Sequence, residues 1–148
     1  MRVIAGSAGG IRLQLPAHDL RPTMDRVREA VFSSLGDRVP GAAVLDLFAG
    51  SGAFGIEALS RGAQSADLVD SHRAAITAIR ANLARAKVHG QAHQTDVFRF
   101  LERAAGLYDL VFADPPYVKG TKTPDLLQAL LAHPRLPLLV HKDGLLVL

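Results

Sequence analysis

Four aspartates, at or near the ends of short strand-like runs, carry the chemistry this sequence suggests. The sharpest motif is Asp114-Pro115-Pro116-Tyr117, directly after the run Tyr108–Ala113. Two prolines stiffen that turn and aim its carbonyls. A carboxylate and a proline carbonyl can accept both N–H groups of an exocyclic amine. Such an amine is a poor nucleophile, because its lone pair is delocalised into the ring. Holding both N–H groups directs the nitrogen at an electrophilic carbon, such as a methyl, and disperses the developing positive charge. Tyr117 can stack on the base so held. The plainer alternative is a structural turn with a capping aspartate.

Upstream, Asp46-Leu47-Phe48-Ala49-Gly50-Ser51-Gly52 sits between a strand-like and a helix-like run. Gly50 and Gly52 would let the backbone turn sharply and pass close to a ligand. From Gly50 the letters G-S-G-A-F-G match the dinucleotide fingerprint, with Gly55 in third place. The aspartate ahead of the loop opposes a pyrophosphate and suits a cationic amine, and no P-loop lysine follows. Asp70 ends the next strand-like run, where a carboxylate accepts ribose hydroxyls. Nicotinamide and methyl-donor sites share that feature. Asp96 ends a third run and could accept a hydrogen bond from an adenine amino group. Asp70 and Asp96 would serve equally well as helix caps.

Other chemistries find less support. The absence of cysteine removes thiol nucleophiles, disulfides and thiolate metal sites. His18, His72, His89, His93, His133 and His141 show no H-E-x-x-H spacing and share no helical face, so no metal site is expected. Ser51 is no nucleophile elbow, because Ala49 stands where G-x-S-x-G requires glycine.

The elements that must position these residues follow from periodicity. Val3-Ile4-Ala5 and the alternating Ile11–Leu15, joined at Gly9-Gly10, suggest a small N-terminal hairpin. Thr23 is placed to cap a helix with Asp25 in its first turn. Val27, Ala30, Val31, Ser34 and Leu35 would form its apolar stripe and leave Arg26, Arg28 and Glu29 outside it. Strands are expected at Val44–Phe48, Ala66–Asp70, Gln91–Thr95 and Tyr108–Ala113. Helices are expected from Phe54 to Gly62, from Arg73 to Lys87 with Ser71 as cap and Gly90 as stop, and around Phe98–Ala105. Pro124–Leu131 reads as helical. Leu138–Val140 and Leu145–Leu148 read either as a hairpin or, better, as a helix end and one strand. Strands alternating with helices imply a mostly parallel α/β sheet covered on both faces.

At 148 residues the chain has the usual size of one domain. Residues 1–40 would form an arm packed on a core of residues 41–148. No segment approaches the ~18 uninterrupted apolar residues of a membrane span. No secretory peptide is visible, and a cytoplasmic setting is expected. The 17 basic residues exceed the 14 acidic by three. That excess permits a nucleic-acid partner only through a local arginine face. No tryptophan and two tyrosines make a broad stacking platform a poor expectation.

The sequence resembles the bacterial methyltransferases that modify the N2 amino group of one guanine in 16S ribosomal RNA. The resemblance rests on Arg21-Pro22-Thr23-Met24-Asp25-Arg26-Val27-Arg28-Glu29, on Asp46–Gly52, on Glu57-Ala58-Leu59-Ser60-Arg61-Gly62-Ala63 and on Asp114–Tyr117. It starts at Arg2 and covers nearly the whole chain. It implies a class I, Rossmann-like fold and S-adenosylmethionine as cofactor, with S-adenosylhomocysteine as product. Asp46, Phe48, Ala49, Gly50, Ser51 and Gly52 would hold the methionine part, Asp70 and Ser71 the ribose, Asp96 and Val97 the adenine. Asp114, Pro115, Pro116 and Tyr117 would place the guanine. Arg2, Arg12, Arg21, Arg26 and Arg28 would meet phosphates. The implied partner is 16S ribosomal RNA in the small subunit or an assembly intermediate, met by a monomer away from membranes. Family members continue into a final hairpin past the fifth strand, whereas this sequence stops at Leu148. The competing readings are an adenine-N6 methyltransferase, a noncatalytic cofactor-binding RNA or ribosome-assembly protein, and a simple dehydrogenase.

Overall fold

The computed structural model describes residues 1–16, 25–115 and 125–148. His18, Arg21, Thr23, Pro116 and Tyr117 therefore lie outside the described residues. The element order is α1 (Asp25–Leu35), a 3-10 turn (Gly36–Arg38), β1 (Ala43–Leu47), α2 (Ala53–Ser60), β2 (Ser65–Asp70), α3 (Arg73–Ala86), β3 (Gln91–Gln94), α4 (Val97–Arg103), β4 (Tyr108–Ala113), α5 (Leu126–Ala132), α6 (Leu136–Leu139) and β5 (Val140–Val147). The strands pair in parallel in the order β3-β2-β1-β4-β5. The chain thus starts at the middle of the sheet, works to one edge, then crosses back to the other.

Alternation along the central strands explains why both faces are covered. Val44 of β1 and Leu110 and Phe112 of β4 join a core with Phe32, Ile56, Ile76 and Ile79 from α1, α2 and α3. Leu45, Leu47 and Val111 point the other way, against Val97, Leu101, Leu130 and Leu139 from α4, α5 and α6. A strand buried on both faces reads as a nearly continuous apolar run, as these do. Rings of Phe32, Phe54 and Phe112 meet at centroid distances of 5.2 to 6.2 Å, tying α1 and α2 to β4. Across the opposite face, the Tyr108 hydroxyl donates to Asp67 Oδ2 (2.7 Å), and Asp67 Oδ1 meets His93 Nε2 (2.8 Å). That chain spans β4, β2 and β3.

The arm is the small hairpin expected: Arg2 bridges Arg12 antiparallel, the Val3 N–H donates to the Ile11 carbonyl (2.9 Å) and the Leu13 N–H to the Met1 carbonyl (2.9 Å), with Leu15 exposed in it. Several other sequence expectations need correction. Of the expected stripe on α1 only Leu35 is fully buried and Val31 partly so; Arg28 and Phe32 fill the rest of the buried face, and Val27 is half exposed. A buried ion pair moved the face: one arginine among apolar neighbours is invisible to hydrophobic periodicity. Ser71 does not cap α3. His72 holds that position, its ring Nδ1 turned to Asp70 Oδ1 (3.2 Å) rather than to the helix, and the same oxygen accepts the His72 N–H (2.9 Å). α3 is stopped by Lys87 in the left-handed region (φ 56°), not by Gly90. At the end of the chain the helix-then-strand alternative holds. β5 starts at Val140 and absorbs Lys142–Gly144 in an irregularity opposite Tyr108 and Leu110.

Glu57 of α2 organises the arm. Fully buried, it accepts from the Ile4 N–H (2.8 Å) and Arg28 Nε (3.3 Å) on Oε1. On Oε2 it accepts from the Ala5 N–H (3.1 Å) and Arg61 Nε (2.8 Å). Arg28 also reaches Asp25 Oδ1 (3.1 Å) and donates to the Arg2 carbonyl. One turn along α2, Ser60 Oγ accepts the Ala8 N–H (2.8 Å) and donates to the Ala5 carbonyl (2.6 Å). A Cβ on Gly6, which has φ +86°, would lie 1.9 Å from the Ser60 carbonyl oxygen, so only glycine lets the arm approach this closely. Removing the carboxylate strands a buried guanidinium. Glu57→Ala is expected to cost roughly 3–5 kcal/mol in urea unfolding. It should also expose the arm to limited proteolysis before the sheet yields.

Candidate active site

The four aspartates gather at the carboxyl ends of the strands. The sheet order reverses between β1 and β4, where open α/β sheets bind ligands. Asp46 on β1, Asp70 on β2 and Asp114 just after β4 are close enough for the latter two to raise the proton affinity of the first. Asp96 stands further out, beyond β3.

The loop between β1 and α2 is held from three sides. Phe48, Gly50 and Gly52 all have positive φ (56°, 59° and 82°), a sharp turn that glycine permits at two of the three positions. The Ala49 N–H donates to the Val69 carbonyl (3.0 Å) and the Gly52 N–H to the Ala49 carbonyl (2.8 Å). Asp70 Oδ2 accepts the Gly50 N–H (2.9 Å). From behind, Asn82 of α3 donates Nδ2 to the Ser51 carbonyl (2.9 Å), while its Oδ1 accepts the Gln14 N–H (2.7 Å). Asn82 is fully buried and links loop, arm and α3. Sequence reasoning missed it, although a lone amide on an otherwise apolar helix face was a usable signal.

The expected site residues within the described segments take these places. Asp46 is almost wholly buried, and its Oδ2 accepts the Gly55 N–H (3.0 Å) in the first turn of α2. Gly52 has no side chain to cap that helix, so Asp46 satisfies one of its orphan N–H groups from the neighbouring strand. Gly55 serves packing: a Cβ there would lie 2.8 Å from Leu68 Cδ2. Its match to the dinucleotide fingerprint therefore reflects helix–strand contact. Phe48 packs its ring partly on the α4 face of the core. Ser51 is buried, with Oγ toward Met1 Sδ (3.4 Å), so only its backbone borders the site. Asp96 caps α4, with Oδ1 accepting from the Phe98 N–H (2.9 Å) and the Arg99 N–H (3.3 Å). Val97 is buried in the core behind it, whereas Ser71 is exposed. Asp114 is exposed and Pro115 partly so. Arg2, Arg12 and Arg26 are exposed, as a phosphate contact requires. Arg28 is not: it is 0% exposed and belongs to the Glu57 network, so its assignment to RNA is withdrawn.

The donor set suits an adenosyl sulfonium compound with a free amino group. Such a ligand brings positive charge, ribose hydroxyls and an adenine amine to a rim of carboxylates. Asp70 Oδ1 accepts the His72 N–H and meets His72 Nδ1 (3.2 Å), while Oδ2 accepts the Gly50 N–H and keeps a second lone pair for a hydroxyl. No grouping of three or more metal-ligating side chains occurs among the described residues, and no described helix is long and apolar enough to cross a membrane.

This strand order, with a glycine loop after β1 and acids at the strand ends, defines a Rossmann-like fold of the class I methyltransferase type. Over residues 1–148 the chain matches the family described as "Conserved hypothetical protein 95", and it belongs to that family. It is similar to the ribosomal RNA small subunit methyltransferase D of Escherichia coli K12, 40% identical over 122 residues that cover 81% of this chain and 62% of that protein. The protein of the same name from Haemophilus influenzae Rd is 35% identical over 125 residues, or 79% of this chain and 64% of that protein. The chain thus spans less than two thirds of these relatives' length. A solved structure of a hypothetical protein from Thermus thermophilus superposes with a TM-score of 0.84 at 34% identity, covering 99% of this chain and 83% of that one.

Burial, with Asp114 and Asp70 nearby, pushes the Asp46 carboxyl from 3.8 up to about 8, against the lowering effect of the Gly55 N–H. Between these values the unfolded chain has lost this proton and the folded chain retains it. Stability from this group therefore falls as pH rises from about 4 to about 8. Asp46→Asn keeps an acceptor for Gly55 and removes the titration. Its stability relative to wild type should rise by about 1 kcal/mol per pH unit across that window. Thermal melts of ligand-free protein at pH 5 and pH 8 check this; parallel shifts at both would refute the burial argument.

Proposed function

We propose that this chain carries the catalytic site of an S-adenosylmethionine-dependent methyltransferase acting on the exocyclic N2 amine of a guanine in 16S ribosomal RNA. The observation that carries the reading is the convergence of Asp46, Asp70 and Asp114 on the glycine loop at the β1–β4 switch point. The relatives named for small-subunit ribosomal RNA methylation support the substrate class. The guanine-N2 target rests on the Asp114-Pro115-Pro116-Tyr117 motif and on the resemblance.

The bound cofactor would supply an electrophilic methyl group. The loop Phe48–Gly52 presents backbone to it, Asp70 the acceptors for its ribose, and Asp96, through Oδ2, an acceptor for its adenine amine. Asp46 works from behind the loop. It holds the start of α2 and supplies negative charge once a cation favours loss of its proton. Asp114 and the Pro115 carbonyl accept the two N–H groups of the guanine amine, which turns the nitrogen lone pair out of the ring. The departing proton can pass to Asp114 or to water. Tyr117 is proposed to stack on the base. Rate enhancement then comes from alignment and electrostatics, without a covalent enzyme intermediate. Residues 1–40 and the core would act as one unit, because the arm borders the loop through Met1 and Gln14.

Labelled methyl transfer to unmodified small ribosomal subunits, followed by nucleoside analysis, tests the reading. N2-methylguanosine is expected. N6-methyladenosine would replace the proposed base, and cofactor binding without transfer would favour a noncatalytic role. Asp114→Ala should lower kcat about 100-fold or more while cofactor Kd changes less than about threefold. Small, equal losses in both would remove the orienting role.

A further inference from the structure

Charge in this chain is segregated in a way the total conceals. Of the 17 basic side chains, Arg73, Arg80, Arg85 and Lys87 lie in residues 71–95, which contain none of the 14 acidic ones. Outside that segment acids outnumber bases by one. α3 buries Ala75, Ile76, Ala78, Ile79, Asn82, Leu83 and Ala86, so these four cations stand on its outward side, and all four are exposed. None has a carboxylate partner among the described residues, in contrast to Arg28 and Arg61, which share Glu57. The residues between them outside are small: Ala74, Thr77, Ala81 and Ala84. A phosphate chain could therefore approach the helix closely. Arg73 and Arg80 lie seven residues apart on one side of the helix, about 10 Å along its axis.

This face continues into the arm and toward the site. Arg85 Nη1 reaches the Arg12 carbonyl (3.5 Å), and Arg12 is itself exposed. Asn82, between Arg80 and Arg85, bonds both the arm at Gln14 and the glycine loop at Ser51. Arg73 follows Asp70 by three residues, at the ligand end of the sheet. Taking the ribosomal RNA reading above as its basis, we propose that the outer face of α3, with Arg12 of the arm, is the surface that holds the substrate RNA's phosphate backbone beside the site. Phosphate contacts of this kind position a nucleic acid without reading its sequence, and their signature is salt dependence.

The test compares wild type with Arg80→Gln/Arg85→Gln/Lys87→Gln, since glutamine keeps helix propensity at exposed positions. Binding of unmodified small-subunit ribosomal RNA is measured across a salt series, alongside S-adenosylmethionine affinity and methyl-transfer kinetics. The triple variant should bind RNA at least about tenfold more weakly, with a salt slope lower by about 2 to 3. KM for RNA should rise while cofactor Kd and kcat stay within about twofold. Arg99→Gln/Arg103→Gln on α4, the opposite face, is the control and should retain the slope. An unchanged slope in the triple variant, or an equal loss in the control, overturns the proposal even if methyl transfer is intact. Failure of wild type to bind cofactor or transfer methyl would instead sink the functional reading, while the RNA isotherms still decide the α3 surface.

Discussion

The structure depends on one buried carboxylate. Glu57 accepts four hydrogen bonds from the arm, α1 and α2, and nothing else offers those donors a common acceptor. The arm satisfies its Val3, Gly10 and Leu13 N–H groups across its own hairpin. Its Ile4, Ala5 and Ala8 N–H groups depend on α2 instead, through Glu57 and Ser60. Such a network is a poor source of net stability but a strong source of specificity, because losing any one member leaves the others buried and unpaired. Arg28 Nη1 already lacks a hydrogen-bond partner among the described residues. The stretch Glu57–Ala63 looks in sequence like an ordinary helix end. In three dimensions, Glu57, Ser60 and Arg61 lie together on the face that receives the arm.

The same arm borders the site. Met1 touches Ser51, Gln14 bonds Asn82, and Asn82 bonds Ser51 in turn. The glycine loop is therefore held by Asp70 on one side and by the arm and α3 on the other. Asp46 adds a different constraint. It caps α2 from a neighbouring strand, but in a bed of apolar side chains beside two other acids. Its high proton affinity comes first from burial, and the two neighbouring acids add to it. A cation beside the three acids would favour the charged form.

Acid at the strand ends and base along α3 give the molecule a polarity that its small net charge hides. A carboxylate rim suits the cofactor and would suit the proposed guanine amine, but it repels phosphate. Any RNA backbone must then be held by a neighbouring surface of opposite sign. Separating the two signs across adjacent faces would serve both proposed ligands, and the field between them would orient an incoming strand.

Local sequence was enough to foresee the doubly wound sheet, the strand-end placement of Asp46, Asp70, Asp96 and Asp114, and the sharp turn at Gly50 and Gly52. The reasons are local too: strands buried on both faces are continuous apolar runs, and glycine is the residue that turns cheaply into the left-handed region. Even the weak strand Gln91–Gln94 was legible from its place in the alternation. Which polar groups face inward emerged only on folding. Arg28 looked like a surface cation and lies in the core. Val27 looked like core and lies outside. The side chains of Ser51 and Asp46 turn inward and hold the loop and α2, and the cations of α3 gather into one face with Arg12. Periodicity ranks side chains by hydrophobicity one at a time. A buried charge is stable only through a partner distant in sequence, and that partner exists only once the chain has folded.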